Sequence, residues 1–118
     1  MLIKQSLVVM AGGALGALLR WRLSSFNLAS QLPWGTLTAN LIGCFTVGLV
    51  LGTTRPGSLI HLFLVAGLCG AMTTFSTFVV EVLHAKPSSV AVGYAVGSLL
   101  GGLILAWSGF RLARLISG

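Results

Sequence analysis

Negative charge is almost missing from this chain. A single acid, Glu81, stands against seven lysines and arginines, and charged residues make up only 7% of the 118. The sequence is 56% hydrophobic with a mean hydropathy of +1.03. A soluble domain of this size needs far more polar surface than that, so a soluble fold is excluded. One acid and two histidines, His61 and His84, both near segment ends, supply no carboxylate pair, no nucleophile with its base and no metal cluster. The chain is therefore not read as an enzyme. Cys44 and Cys69 lie in apolar runs, without C-x-x-C or metal spacing, and read as small buried residues. The basic side chains are scattered at segment ends instead of forming a patch, which excludes nucleic-acid binding. Residues 1–23 are followed by no small-residue cleavage site of the usual kind and read as a mature helix.

What the sequence has in plenty is apolar length. Four hydrophobic segments are predicted at residues 2–23, 34–52, 58–83 and 88–116, each long enough to cross a bilayer. The turns "SFNLASQLPWG", "TTRPGS" and "HAKPSS" separate them and hold all three prolines. The fold class that follows is an all-α integral membrane protein, a single transmembrane domain of four helices. Trp34 and Trp107 suit the membrane interface. Among the sixteen glycines, Gly12 and Gly16, Gly48 and Gly52, Gly93 and Gly97, and Gly97 and Gly101 have G-x-x-x-G spacing. Such spacing lets helices approach closely in lipid, where no hydrophobic effect drives them together.

With four spans, Lys4, Arg55, Arg111 and Arg114 fall on one side of the membrane, and Arg20, Arg22 and Lys86 on the other. Four charges against three is almost no positive-inside bias. A chain without bias is free to insert both ways, and two copies can then pair antiparallel about an axis in the membrane plane. Four helices alone scarcely enclose a pathway, which also favours a dimer.

The third segment carries the least expected stretch, "GAMTTFSTF" at 70–78. Four hydroxyls (Thr73, Thr74, Ser76 and Thr77) are set around Phe75 and Phe78 where leucine would serve a plain membrane helix. Isolated serines and threonines in helices bond back to their own carbonyls. Four in five residues ask for more, and Gly70 just ahead of them predicts a break in the helix there. Asn40 on the second segment, and Tyr94 and Ser98 one turn apart on the fourth, are further buried donors. The segment centres contain no ionisable group, which argues against a proton- or cation-coupled exchanger. Hydroxyl and amide donors, with the positive edges of phenyl rings, can instead replace the hydration of a small anion without a fixed charge to trap it.

Three motifs, "GGALGALLRW" at 12–21, "GTLTANLIGCF" at 35–45 and "GAMTTFSTF" at 70–78, closely resemble the small bacterial fluoride channels of the Fluc family. They occur in order, one in each of the first three segments, and with length and hydropathy the likeness spans essentially the whole chain. The resemblance implies an antiparallel, dual-topology homodimer in the bacterial inner membrane. It implies two pores per dimer and passive export of fluoride from the cytoplasm. Carried over by motif, Asn40 is a polar pore residue, Phe75 and Phe78 supply ring edges, and Ser76 and Thr77 join the lining. Tyr94 and Ser98 resemble the hydroxyl track of the fourth helix. Gly102 and Cys44 depart from the pattern, each standing where a hydroxyl residue is common. The resemblance also implies a structural sodium ion, not transported, at the centre of the dimer. Backbone carbonyls matching Gly70 and Thr73 of both copies would hold it. Arg20 and Glu81 are assigned to helix ends or the pore vestibule.

Two other readings are weighed. Small multidrug exporters share the length, the four helices and the dual topology, but they depend on a glutamate in the first helix, and this one has none. A non-transporting assembly subunit would explain the glycines but leave Asn40 and the hydroxyls without a purpose.

Overall fold

The computed structural model describes residues 1–27 and 32–118; the middle of the first predicted turn lies outside these. The apolar runs form helices because lipid offers the backbone no hydrogen-bond partner, so each segment must satisfy its own amides. Helix α1 covers Leu2–Ser24 and α2 covers Trp34–Thr53, with Pro33 immediately before α2. The third segment starts as Leu59–His61, widens into a π-helical stretch over Leu62–Cys69 and closes with Gly70–Met72. Together these run on as one helix, α3. After a break come α4 (Phe75–His84) and α5 (Ser88–Ser117), the latter starting after Pro87. The result is four long apolar spans, the third bent, in a multi-pass membrane protein.

The break does not fall at Gly70. That residue is helical, with φ −60° and ψ −35°. The chain leaves the helix instead at Thr73 (ψ 151°) and Thr74 (φ −147°, ψ 121°). Threonine hydroxyls explain the shift, because they offer the backbone alternatives to the helical ladder. The Thr73 hydroxyl donates to the Cys69 carbonyl at 2.9 Å. The Thr74 hydroxyl accepts the Thr77 amide at 3.2 Å and so caps α4.

The helices pack as two parallel pairs, α1 with α3 and α2 with α5. Glycine sets the first contact. A Cβ on Gly12 would run into the Phe63 carbonyl oxygen, and one on Gly16 would sit 3.1 Å from the Met72 amide nitrogen. Gly48 plays the same part in the second pair, where a Cβ would come within 2.9 Å of the Phe110 amide nitrogen. Gly93 and Gly97, by contrast, face open space in the single chain. Helix α2 is the most buried span. The Cα trace measures 48 × 32 × 18 Å, a thin slab with a largely apolar groove open along its side.

Candidate functional site

The groove runs along α2 and α5 beside the break and has a volume of about 340 Å³. Asn40, Gly43 and Cys44 line it from α2, Thr73 and Thr74 from the break, Phe75 and Phe78 from α4, and Ser98 from α5. No lining side chain is charged. Ser76, Thr77 and Tyr94 are not among the lining residues.

Asn40 organises the break. Its Oδ1 accepts the Thr74 amide at 2.8 Å, and its Nδ2 donates to the Thr74 carbonyl at 3.3 Å. One carboxamide thus satisfies both backbone polar groups of a residue that the helix has abandoned, as a membrane interior requires. Its second N–H remains for another acceptor. In an unbroken helix the Thr74 amide would go to the Gly70 carbonyl and the Thr77 amide to the Thr73 carbonyl. Asn40 and the Thr74 hydroxyl take those two donors, so the Gly70 and Thr73 carbonyls lose their helical partners. The intervening Ala71 carbonyl is supplied from elsewhere: Arg20 Nε donates to it at 3.0 Å. Arg20 is therefore a half-buried brace between α1 and α3 rather than a free charge at a helix end.

The aromatic groups form a short row. The Phe75 and Phe78 ring centroids are 5.9 Å apart, and those of Phe78 and Tyr94 are 5.3 Å apart with planes at 56°. Such tilted contacts turn ring edges towards neighbouring faces. Phe78 is 8% exposed and Phe75 74% exposed, so the row leads from the packed interior to the open rim of the groove. Of the two hydroxyls one turn apart on α5, Tyr94 points at Glu81, donating to Oε2 at 2.8 Å. Ser98 faces the groove, and its hydroxyl oxygen is buried without a hydrogen-bond partner among the described residues. Cys44 lies against Gly102, where a Cβ would meet its sulfur at 3.2 Å. The two departures from the motif pattern are thus neighbours, the larger side chain on α2 occupying the room the glycine leaves on α5.

Sequence reasoning missed the surroundings of Glu81. Besides Tyr94, the Thr36 hydroxyl donates to Oε1 at 2.7 Å, and Asn27 Nδ2 donates to the same oxygen at 3.3 Å. Asn27 Oδ1 in turn accepts the Gly35 amide at 2.7 Å, tying the α1–α2 turn to the start of α2. The signal for this cluster was the solitude of Glu81, since a lone acid in an apolar chain must find donors. Their identity was not visible, because Thr36 and Asn27 lie 45 and 54 residues away. The serine and threonine cluster also divides its labour. Thr73 and Thr74 serve the backbone, and Ser76 Oγ lies 3.4 Å from Thr74 Oγ1.

Four apolar spans, with a break braced by Asn40, Thr74 and Arg20 beside a groove without charged lining, define a multi-pass membrane protein. The chain belongs to the CrcB family: the family model described as CrcB-like protein, Camphor Resistance (CrcB), matches residues 7–110. Its relatives carry a more specific name. It is 47% identical to the fluoride-specific ion channel FluC of Bordetella avium over 93% of both chains. It is 39% identical to a protein of that name from Thermus thermophilus over 98% of both. It is 41% identical to fluoride-specific ion channel FluC 2 of Staphylococcus haemolyticus over 92% of this chain and 95% of that one.

Proposed function

We propose that this protein is a fluoride channel of the bacterial inner membrane that lets accumulated fluoride leave the cytoplasm passively. The observation that carries the reading is the uncharged groove, in which the buried Ser98 hydroxyl has no partner. A hydroxyl proton without an acceptor in apolar surroundings is costly, and a small anion is the acceptor that best offsets that cost. The spare Asn40 N–H and the edges of Phe75 and Phe78 add positive character along the same wall without a charge to hold the ion. Ser76, Thr77 and Tyr94 act beyond the groove, towards the end where Glu81 stands, and Glu81 and Arg20 keep the helices there in place. The names of the relatives support fluoride as the ion.

One copy leaves the groove open along its side. An antiparallel second copy would close it and give two equivalent pathways. The Gly70 and Thr73 carbonyls, both deprived of helical donors, suit a hard cation that takes oxygen ligands. In such a dimer they would hold a structural sodium ion from both sides, its charge balancing the exposed carbonyl dipoles. It is bound in place and not transported.

The test is flux. Purified protein is reconstituted in vesicles loaded with fluoride, valinomycin is added to release charge, and an electrode outside follows the ion. Rapid fluoride efflux is expected, with none of chloride, and Phe75→Ile or Phe78→Ile should abolish it while the protein stays folded. Vesicles that retain fluoride around folded protein would refute the reading, and flux that survives both substitutions would refute the role given to the rings.

A further inference from the structure

The cluster of positive charge at the other end of the bundle takes no part in the groove. Gly52 packs on α5, where a Cβ would meet the Ala113 side chain at 2.5 Å and the Phe110 carbonyl at 3.1 Å. The end of α2 therefore lies beside the last turns of α5. Arg55, in the turn three residues after Gly52, falls at the same end of the molecule as Arg111 and Arg114. The latter two are spaced i, i+3 and share a helix face. All three are exposed. No acidic side chain neutralises them, because Glu81, the only one, is held at the opposite end by Asn27, Thr36 and Tyr94.

Two of these guanidinium groups are also preset. The Arg111 guanidinium carbon lies 5.6 Å from the centre of the Trp107 ring and that of Arg114 5.8 Å from the centre of Phe110, both within cation–π range. A guanidinium carried on a ring by its face keeps its edge N–H groups free, and those edges match two oxygens of a phosphate. The surroundings are those of a lipid, not of a dissolved ion. Trp107 is 63% exposed, Leu115 77% and Ile116 74%, so apolar surface for acyl chains adjoins the cations.

We infer that this end of the bundle binds acidic phospholipids, their headgroup phosphates on Arg111, Arg114 and Arg55 and their chains along the outer face of α5. The opposite end is poorer in free cations, since Arg20 is turned inward to the Ala71 carbonyl and leaves Arg22 and Lys86 there. The inference needs only that the chain spans a membrane, so it and the fluoride reading can fail separately.

Trp107 supplies the reporter. With Trp21→Phe and Trp34→Phe it is the sole tryptophan, and brominated acyl chains quench it on contact. In phosphatidylcholine vesicles, brominated phosphatidylglycerol should quench it with about fivefold or greater advantage over brominated phosphatidylcholine, as expected for a surface arginine beside an anionic lipid. Replacing Arg55, Arg111 and Arg114 by glutamine should remove that advantage and leave the helical circular dichroism unchanged. Equal quenching by the two lipids would overturn the inference, as would a preference that survives the triple replacement. A preference erased by millimolar inorganic phosphate would also overturn it, showing an ion site and not a lipid site. If the replaced protein does not insert, native mass spectrometry of the unaltered chain from mixed-lipid discs decides. Retained phosphatidylglycerol supports the inference, and its loss alongside phosphatidylcholine refutes it.

Discussion

Asn40, half-buried, and Tyr94, buried, show how differently two polar residues can use their hydrogen bonds. Asn40 serves the backbone, with both bonds on the Thr74 peptide. Tyr94 serves another side chain, Glu81. Asn40→Leu leaves the Thr74 amide and carbonyl unpaired in largely apolar surroundings and should cost about 2–6 kcal/mol, at roughly 1–3 per orphaned group. Tyr94→Phe preserves the ring on Phe78 and removes one of three donors to Glu81, so the loss should be nearer about 1 kcal/mol. Thermal unfolding in detergent measures both, with Asn40→Leu expected to melt well below Tyr94→Phe. The reverse order would mean that the Glu81 cluster, and not the break, is the costlier polar group to disturb. The sequence marked both residues as buried donors needing partners. It did not say which partners, because Thr74 is 34 residues from Asn40 and no local pattern joins them.

At the scale of the element, the broken third span shows what glycine and threonine each contribute. A glycine ahead of a hydroxyl cluster made Gly70 the natural breaking point, yet the helix runs through it and stops at two threonines. Thr74→Val keeps the shape and β-branching but removes the cap on α4, and should destabilise by about 1 kcal/mol. Gly70→Ala should be tolerated or slightly stabilising, since an added Cβ meets nothing nearer than the Val65 carbonyl at 3.4 Å and alanine favours the helix. Unfolding midpoints of the two variants compare these sites directly. A larger loss for Gly70→Ala would return the break to glycine. That four long apolar helices would form, one of them bent, was legible in hydropathy and turn residues. The point of bending was not, because it depends on Asn40 reaching across from α2 to take the Thr74 peptide.

At the scale of the whole molecule, the thin slab and its sidelong groove make a single copy an incomplete enclosure. Orientation depends on the charges that stay at the helix ends. With Arg20 bonded inward to Ala71, the flanking bases count four (Lys4, Arg55, Arg111, Arg114) against two (Arg22, Lys86), a sharper bias than the sequence suggested. The antiparallel proposal nonetheless requires equal numbers of both orientations, which an exposed tag can read. With Cys44 and Cys69 replaced by serine, a cysteine at the exposed His84 should react with an impermeant reagent on about half of the molecules in sealed cells, the proportion a two-fold antiparallel pair demands. Labelling of all or none would show one fixed orientation and rule out the antiparallel dimer.

The sequence by itself determined that this chain belongs in a membrane, that it holds four helices long and apolar enough to cross one, and that charged side chains are scarce in them. Those properties follow from composition, from the length of apolar runs and from the near absence of acids, none of which needs a contact map. Tertiary structure decided what the donors do: Asn40 on the Thr74 peptide, Arg20 on the Ala71 carbonyl, Thr36, Asn27 and Tyr94 on Glu81, and Ser98 left facing the groove. The physical reason is the cost of an unpaired polar group in apolar surroundings, which brings all of these but Ser98 to a partner. Except for Tyr94 and Glu81, 13 residues apart, those partners lie 34 or more residues away in sequence and meet only when the helices have packed.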